Sequence, residues 1–241
     1  MYMIRLFRLS LVVIAVLASG CTLFKTTAEP VDLDYPDPDS EIASLLDSYR
    51  PGLELEMGEP IAIVMDTVRF RQPEGALGNM VADALRYRAS RELGKYIHLG
   101  VIGESSFQTH FFPGTLTKGD LYEFMPYENH LVVLELPGAT VQQLLHQIAE
   151  IGGAPVSGSR FSIDHENRAR GIIVNSEVID LTRSYYVATS SWIANGGDRF
   201  SALWNPIGRT DLEHIDIRDL YLEFFRGRAE IYNETDGRIR R

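Results

Sequence analysis

Cysteine is nearly missing from this sequence: Cys21 is the single one in 241 residues, so no internal disulfide can form and stability has to come from packing. The ligand patterns of a metal centre are missing too. Asp-x-His, Gly-Asn-His-Asp/Glu and Gly-His-x-His do not occur, and His98, His110, His130, His146, His165 and His214 are scattered without ligand spacing. The nearest candidate, Asp164-His165-Glu166, places neighbours on opposite faces of any strand and reads as a polar turn. No Gly-x-Ser-x-Gly elbow is present, and Cys21 has another use, which excludes the common nucleophile arrangements. Positive charge is in deficit, with 23 Lys and Arg against 33 Asp and Glu and a net charge of -10. Such a balance argues against a nucleic-acid polymer as partner, although a local arginine cluster could still hold a small anion.

No apolar run reaches the ~20 residues of a membrane-spanning helix. The first segment has Arg5 and Arg8, an apolar stretch from Leu9 to Ala18, and Leu17-Ala18-Ser19-Gly20-Cys21. Residues 1–20 therefore read as a secretory signal peptide. Small residues directly before Cys21 resemble the bacterial lipobox, which implies lipidation of Cys21 and an exported, membrane-anchored lipoprotein in the periplasm or on the cell surface. Removing residues 1–20 takes away two arginines and no acid, leaving -12. Residues 21–40 contain Pro30, Pro36 and Pro38 among acids and threonines and read as a flexible tether.

Residues 41–241 have the length and the apolar content, 45% over the chain, of one globular domain. Periodicity predicts helices over Glu41–Tyr49 (stopped by Pro51), Glu74–Leu93, Lys118–Glu123 (capped by Thr117), Thr140–Ile151 and Asp216–Arg226. In the second of these, Glu74 sits at the positive end of the helix dipole. Strands are predicted over Ile61–Arg69, His98–Ile102, His130–Leu136, Phe161–Ile163, Gly171–Val174 and Ser184–Thr189. Helices gather in the first half and strands in the second, so the fold class is α+β, a mixed sheet with flanking helices.

The run Tyr185–Phe200, Tyr-Tyr-Val-Ala-Thr-Ser-Ser-Trp-Ile-Ala-Asn-Gly-Gly-Asp-Arg-Phe, reads as a strand followed by a ligand-facing loop. Trp192 offers a flat apolar face, and Asp198, on a Gly196-Gly197 turn, offers a carboxylate that can accept hydrogen bonds from ribose hydroxyls. Taken alone, the run also fits a core strand closed by a glycine turn.

Four segments together resemble the C-terminal, substrate-binding domain of the 5'-nucleotidase family. They are Arg71-Gln72-Pro73-Glu74-Gly75-Ala76-Leu77-Gly78-Asn79 running into Ala82-Asp83-Ala84; Leu116-Thr117-Lys118-Gly119-Asp120-Leu121-Tyr122 with Pro126-Tyr127-Glu128-Asn129; Val156-Ser157-Gly158; and the Trp192–Asp198 run, with a closing Gly237-Arg238-Ile239. The resemblance implies that Tyr127 and Trp192 stack on a base and that Asn129 hydrogen-bonds its edge. It further implies that Asp198 holds the ribose and that Gly158 lets the backbone approach the base. As bland alternatives, the two rings fit core anchors and Asn129 a turn residue. Asn129 can donate and accept, and so would suit more than one base edge.

Two departures stand out. Where the family has Asn-x-Gly-Gly-Ile-Arg, this chain has Gly103-Glu104-Ser105-Ser106-Phe107-Gln108, so that Gln108 replaces the phosphate-binding arginine. Arg71 is the leading substitute, with Arg69 and His110 behind it, and a solvated surface arginine is the alternative for Arg71. The second departure is that the family's two-metal metallophosphoesterase domain is not found in these residues. The leading expectation is thus the nucleotide- or nucleoside-recognising half of a split 5'-nucleotidase in nucleotide catabolism. It would be inactive alone and would act with a separately encoded metallophosphoesterase, with divalent metals only in that partner and no cofactor in this chain. The alternative is a non-catalytic nucleoside-binding or protein-interaction lipoprotein.

Overall fold

The computed structural model describes the backbone from residue 40 and side chains from residue 42. The expected signal peptide 1–20, Cys21 and nearly all of the tether 21–40 lie outside the described residues. The chain divides into two units at 48/49, and the first is described only from residue 40. The described part of the first is helical, with Ile42, Leu45 and Leu46 exposed. Helix α1 (Ser40–Met57) does not stop at Pro51 as predicted. Proline gives up one amide hydrogen bond, but its fixed φ is already helical, so the turns on either side persist.

In the second unit the elements are β1 (Pro60–Val64), α2 (Ala76–Leu93), β2 (Leu99–Val101), β3 (Gly114–Thr117), α3 (Lys118–Phe124), β4 (His130–Pro137) and α4 (Gly138–Glu150). There follow β5 (Val156–Ser157), β6 (Ser159–Ile163), β7 (Ala169–Val174), β8 (Glu177–Val178), β9 (Ser184–Ser190) and α5 (Ser191–Ala194). The last four are β10 (Gly208–Asp216), α6 (Ile217–Arg226), β11 (Glu230–Ile231) and β12 (Ile239–Arg240). The predicted α+β class holds.

The central sheet has the order β10-β4-β9-β2-β5, mostly antiparallel but with β2 parallel to β9. Its middle strand pair is buried on both faces because β4 is apolar at nearly every position. Leu131 and Val133 join the core formed with α2 and α6, whereas Val132, Leu134 and Leu136 join the core formed with α4, β6 and β7. Each such side chain contributes about 1.5–3 kcal/mol on burial, which makes β4 a firm base for the loop that precedes it. A four-stranded sheet, β12-β6-β7-β8, covers α4's side, and a small sheet, β11-β1-β3, sits beside α6.

Local sequence explains most boundaries. Thr117 and Asp120 form the capping box of α3, as expected from Thr117. Asp216 caps α6 by accepting from the amides of Arg218 and Asp219. Glu74 departs from its expected role at the helix dipole. Its Oε1 accepts from Asn79 Nδ2 at 2.6 Å and from the amides of Asp236 and Gly237, tying the chain's end to the start of α2. The predicted strand to Arg69 ends at Val64; beyond it the Met65 amide donates to the Ile231 carbonyl at 2.9 Å and Val68 bridges Phe111.

Candidate functional site

Three segments meet at one end of the central sheet, where β2 and β9 run out and β4 begins. A single 3-10 turn, Glu104–Ser106, follows β2 and is anchored by Phe107, whose ring stacks on Phe70 and Phe124 at 4.9 and 4.6 Å. The one-turn helix α5 follows β9 and carries Trp192, with Ser190 Oγ accepting from the Ile193 amide. The turn Pro126–Asn129 precedes β4 and is held from α6. Arg218 donates to the carbonyls of Met125 and Pro126 at 3.0 and 3.2 Å, and the Ile217 amide donates to the Asn129 carbonyl at 2.9 Å.

Ser105, Ser106, Tyr127, Glu128, Asn129 and Trp192 line the resulting open cleft of about 440 Å³. Tyr127 is 51% exposed and Trp192 is 54% exposed, so neither ring is a core anchor. Two large rings left in water beside one cleft are what a flat ligand needs for stacking.

Asn129 has a double task. β4 and β9 pair antiparallel with Leu131 opposite Ser190, and continuing that register by two residues sets Asn129 opposite Trp192. Its Oδ1 accepts from the Trp192 amide at 3.0 Å and from Ser191 Oγ at 3.2 Å. Because a backbone amide can only donate, the atom facing it must be the oxygen. Both lone pairs are thereby used, and the freedom to accept that the sequence suggested is gone. Asn129 can offer a ligand only the Nδ2 donor.

Asp198, expected to hold the ribose, sits behind the turn that borders the cleft. It lies in a 3-10 turn at φ +53°, followed by Arg199 at +59°, a strained conformation for residues with a Cβ. Its Oδ1 accepts from Ser105 Oγ, and its Oδ2 is buried without a hydrogen-bond partner among the described residues. It is not among the lining residues of the cleft. Gly103 makes this possible, since a Cβ there would meet Asp198 Oδ2 at 1.3 Å.

Gly158, expected to let the backbone approach the base, is not among the residues that line the cleft. The β2–β5 ladder pairs Val101 with Val156 and Gly100 with Ser157, so Gly158 lies beside the opposite end of β2. It has φ +78°, and a Cβ would meet the His98 carbonyl at 2.0 Å. That close approach, not a ligand, requires glycine.

The neighbouring motifs form a structural knot. Arg238 makes a two-pronged pair with Asp83 at 2.9 and 2.7 Å and donates to the Val156 carbonyl at 3.0 Å. Ser157 Oγ donates to Asp83 at 2.5 Å and accepts from Arg86 Nε at 2.8 Å. Ala82-Asp83-Ala84, Val156-Ser157-Gly158 and Gly237-Arg238-Ile239 thus fasten α2, β5 and the last strand together.

Gln108 stands beside the cleft and donates from Nε2 to Tyr127 Oη at 3.2 Å. Arg71 lies in a separate narrow groove with Glu74 and Glu104. Partial burial, and then the Asp198 charge, raise the Glu104 carboxyl above its ordinary range. Among the described residues no cluster of three or more His, Cys, Asp or Glu is arranged to hold a metal ion, and no helix is long and apolar enough to cross a membrane. Sequence reasoning singled out neither Ser105 nor Ser106 as lining residues. Glu128 was visible inside the Pro126–Asn129 motif, whereas Arg218, about 90 residues away in the chain, gave no signal.

Residues 59–204 match the family model described as "5'-nucleotidase, C-terminal domain". The Bacillus subtilis trifunctional nucleotide phosphoesterase YfkN is 23% identical over 231 residues, covering 88% of this chain and 16% of that protein. The Aedes aegypti apyrase is 26% identical over 204 residues, covering 75% of this chain and 36% of that protein. Among solved structures, a 5'-nucleotidase precursor from Thermus thermophilus superposes with a TM-score of 0.69 at 23% identity, covering 84% of this chain and 43% of that one. The chain therefore spans only a minor part of these relatives. The matched segment includes α2, the whole cleft and Trp192, and the chain belongs to the 5'-nucleotidase C-terminal domain family.

Proposed function

We propose that this chain recognises the nucleoside part of a nucleotide and acts with a metallophosphoesterase carried by a separate chain. One observation carries the proposal: two half-exposed rings, Tyr127 and Trp192, line a single cleft with the Asn129 carboxamide between them in the sequence register. Stacking is worth about 1–3 kcal/mol per base, and Asn129 Nδ2 adds a directional donor. The nucleotide phosphoesterase and apyrase relatives support the substrate class. The absence of two-metal ligand motifs in this sequence supports a catalytic centre elsewhere. In the same proposal, Cys21 carries lipid and holds the protein on a membrane after export, with 41–241 as the working domain.

The test is AMP hydrolysis by an exported metallophosphoesterase lacking its own C-terminal domain, with and without this protein. A raised rate or a changed nucleotide preference is expected. If neither changes while the cleft still binds nucleoside, the split-enzyme proposal fails.

A further inference from the structure

A second groove, of about 390 Å³, lies between α2 and α6 and shares no lining residue with the cleft. Its volume is that of a small-molecule site. Ala84 and Leu220 give it buried apolar surface, and Tyr87, 60% exposed, adds a ring. In a chain of net charge -10, this groove is basic: Arg88, Arg91 and Arg228 line it against one acid, Glu223. Its α6 side also lies beyond residues 59–204, the segment that matches the family model.

The carboxylates around it are engaged. Glu223 Oε2 accepts from Arg88 Nη1 at 2.5 Å, and its Oε1 lies 4.0 Å from Arg91 Nη1. Glu92 takes Arg88 Nη2 at 3.5 Å and His214 Nε2 at 2.8 Å. Asp83, whose charge reaches Arg228, holds both prongs of Arg238 and the Ser157 hydroxyl. Arg228 is left without an ion pair among the described residues. Its guanidinium lies over the Phe224 ring at 3.7 Å and donates through Nη1 to the Phe224 carbonyl at 3.3 Å, which uses one of a guanidinium's five donors. That carbonyl, at the end of α6, supplies only a partial negative charge. Burial pulls the Arg228 guanidinium below its ordinary range, against the Asp83 charge. A half-buried cation without a counter-ion is costly, and an anion beside it would offset that cost.

We propose that the α2–α6 groove is a second binding site, which takes a small organic carboxylate with an apolar body. The carboxylate pairs with Arg228, whose planar fork suits it, and Arg91 adds charge from its place over the Tyr87 ring at 5.7 Å. The apolar body lies along Leu220, Ala84 and Tyr87. A single negative charge fits better than a dianion, because Glu223 already offsets one of the three arginines.

Titrating the full chain with octanoate, octanol, acetate and inorganic phosphate, followed by amide chemical shifts, tests this. Octanoate is expected to saturate at millimolar concentration and to shift amides along Ala84–Arg91 and Leu220–Arg228. Octanol lacks the charge and acetate the apolar body, so neither should saturate there. Arg228→Gln should weaken octanoate by roughly tenfold. Arg91→Gln, at an exposed position, should weaken it by a few-fold, with thermal melts checking that both variants stay folded. The proposal is overturned if octanoate does not saturate, if octanol binds as tightly, or if folded Arg228→Gln binds octanoate as well as wild type. Tighter binding of phosphate than of octanoate, or octanoate shifts confined to the Tyr127 and Trp192 cleft, would overturn it too.

Discussion

Replacing Asn129 in two ways separates its structural task from its ligand task. Asn129→Ala removes the acceptor for the Trp192 amide and the Ser191 hydroxyl. Each bond is worth about 0.5–1.5 kcal/mol net, and the site is only half-buried, so water can replace part of the loss. A total of about 1–2 kcal/mol follows, which lowers the melting temperature by roughly 2–8 °C in a domain of this size. Asn129→Asp retains an acceptor oxygen in the same place and should melt within about 1–2 °C of wild type, but it lacks the amide donor. Both variants lose the hydrogen bond to a ligand, so nucleoside affinity should fall about tenfold in each. Differential scanning calorimetry together with nucleoside titration reads both quantities. If Asn129→Asp bound nucleoside as well as wild type, Nδ2 would not be the ligand-facing atom and the assignment would be refuted.

Trp192→Ala should weaken nucleoside binding by about 1–3 kcal/mol with little effect on melting, because the ring is half-exposed; titration and melting together check this. Gly158→Ala should destabilise the fold by more than about 1 kcal/mol through its left-handed φ and the His98 carbonyl, while titration of the folded fraction shows unchanged nucleoside affinity. Arg238→Met removes a guanidinium whose side chain is 12% exposed and strands Asp83, so urea unfolding should show a loss of about 2–4 kcal/mol, discounted from the fully buried case. His98 titrates below its ordinary value, chiefly through burial and then through Arg183, and its Nδ1 accepts from the Tyr186 amide. Its folded pKa lies below the unfolded value of about 6.5, so stability should be full above that pH and fall as pH drops from there through the folded pKa. His98→Gln should flatten that part of the pH–stability curve, and an unchanged slope would refute the assignment.

Much of this was legible in the sequence because the signals are local. The apolar run of β4, the Thr117 cap and the α2 periodicity each depend on neighbouring residues, and each sits within a few residues of its predicted place. Tyr127, Asn129 and Trp192 could be singled out as types, and the β4–β9 register brings them to one sheet end. β10 was missed because it is an edge strand with Arg209, Asp211 and Glu213 facing water and only Leu212 and Ile215 buried. β11 and β12 have two residues each, too few for any period. The Asp83–Ser157–Arg238 knot joins motifs up to 155 positions apart, so the motifs were readable but their contact was not. Gly103 was visible as a departure, yet its consequence, room for Asp198 to fold inward, depends on a contact 95 positions away in sequence.

The central claim is that Tyr127 and Trp192 form one nucleoside-stacking site. Titrating adenosine into the full chain and into the Tyr127→Ala, Trp192→Ala double variant, with melting curves to show that both are folded, tests it most directly. Measurable binding to wild type and none to the folded double variant is predicted. Equal binding by both would contradict it, as would an absence of binding by wild type.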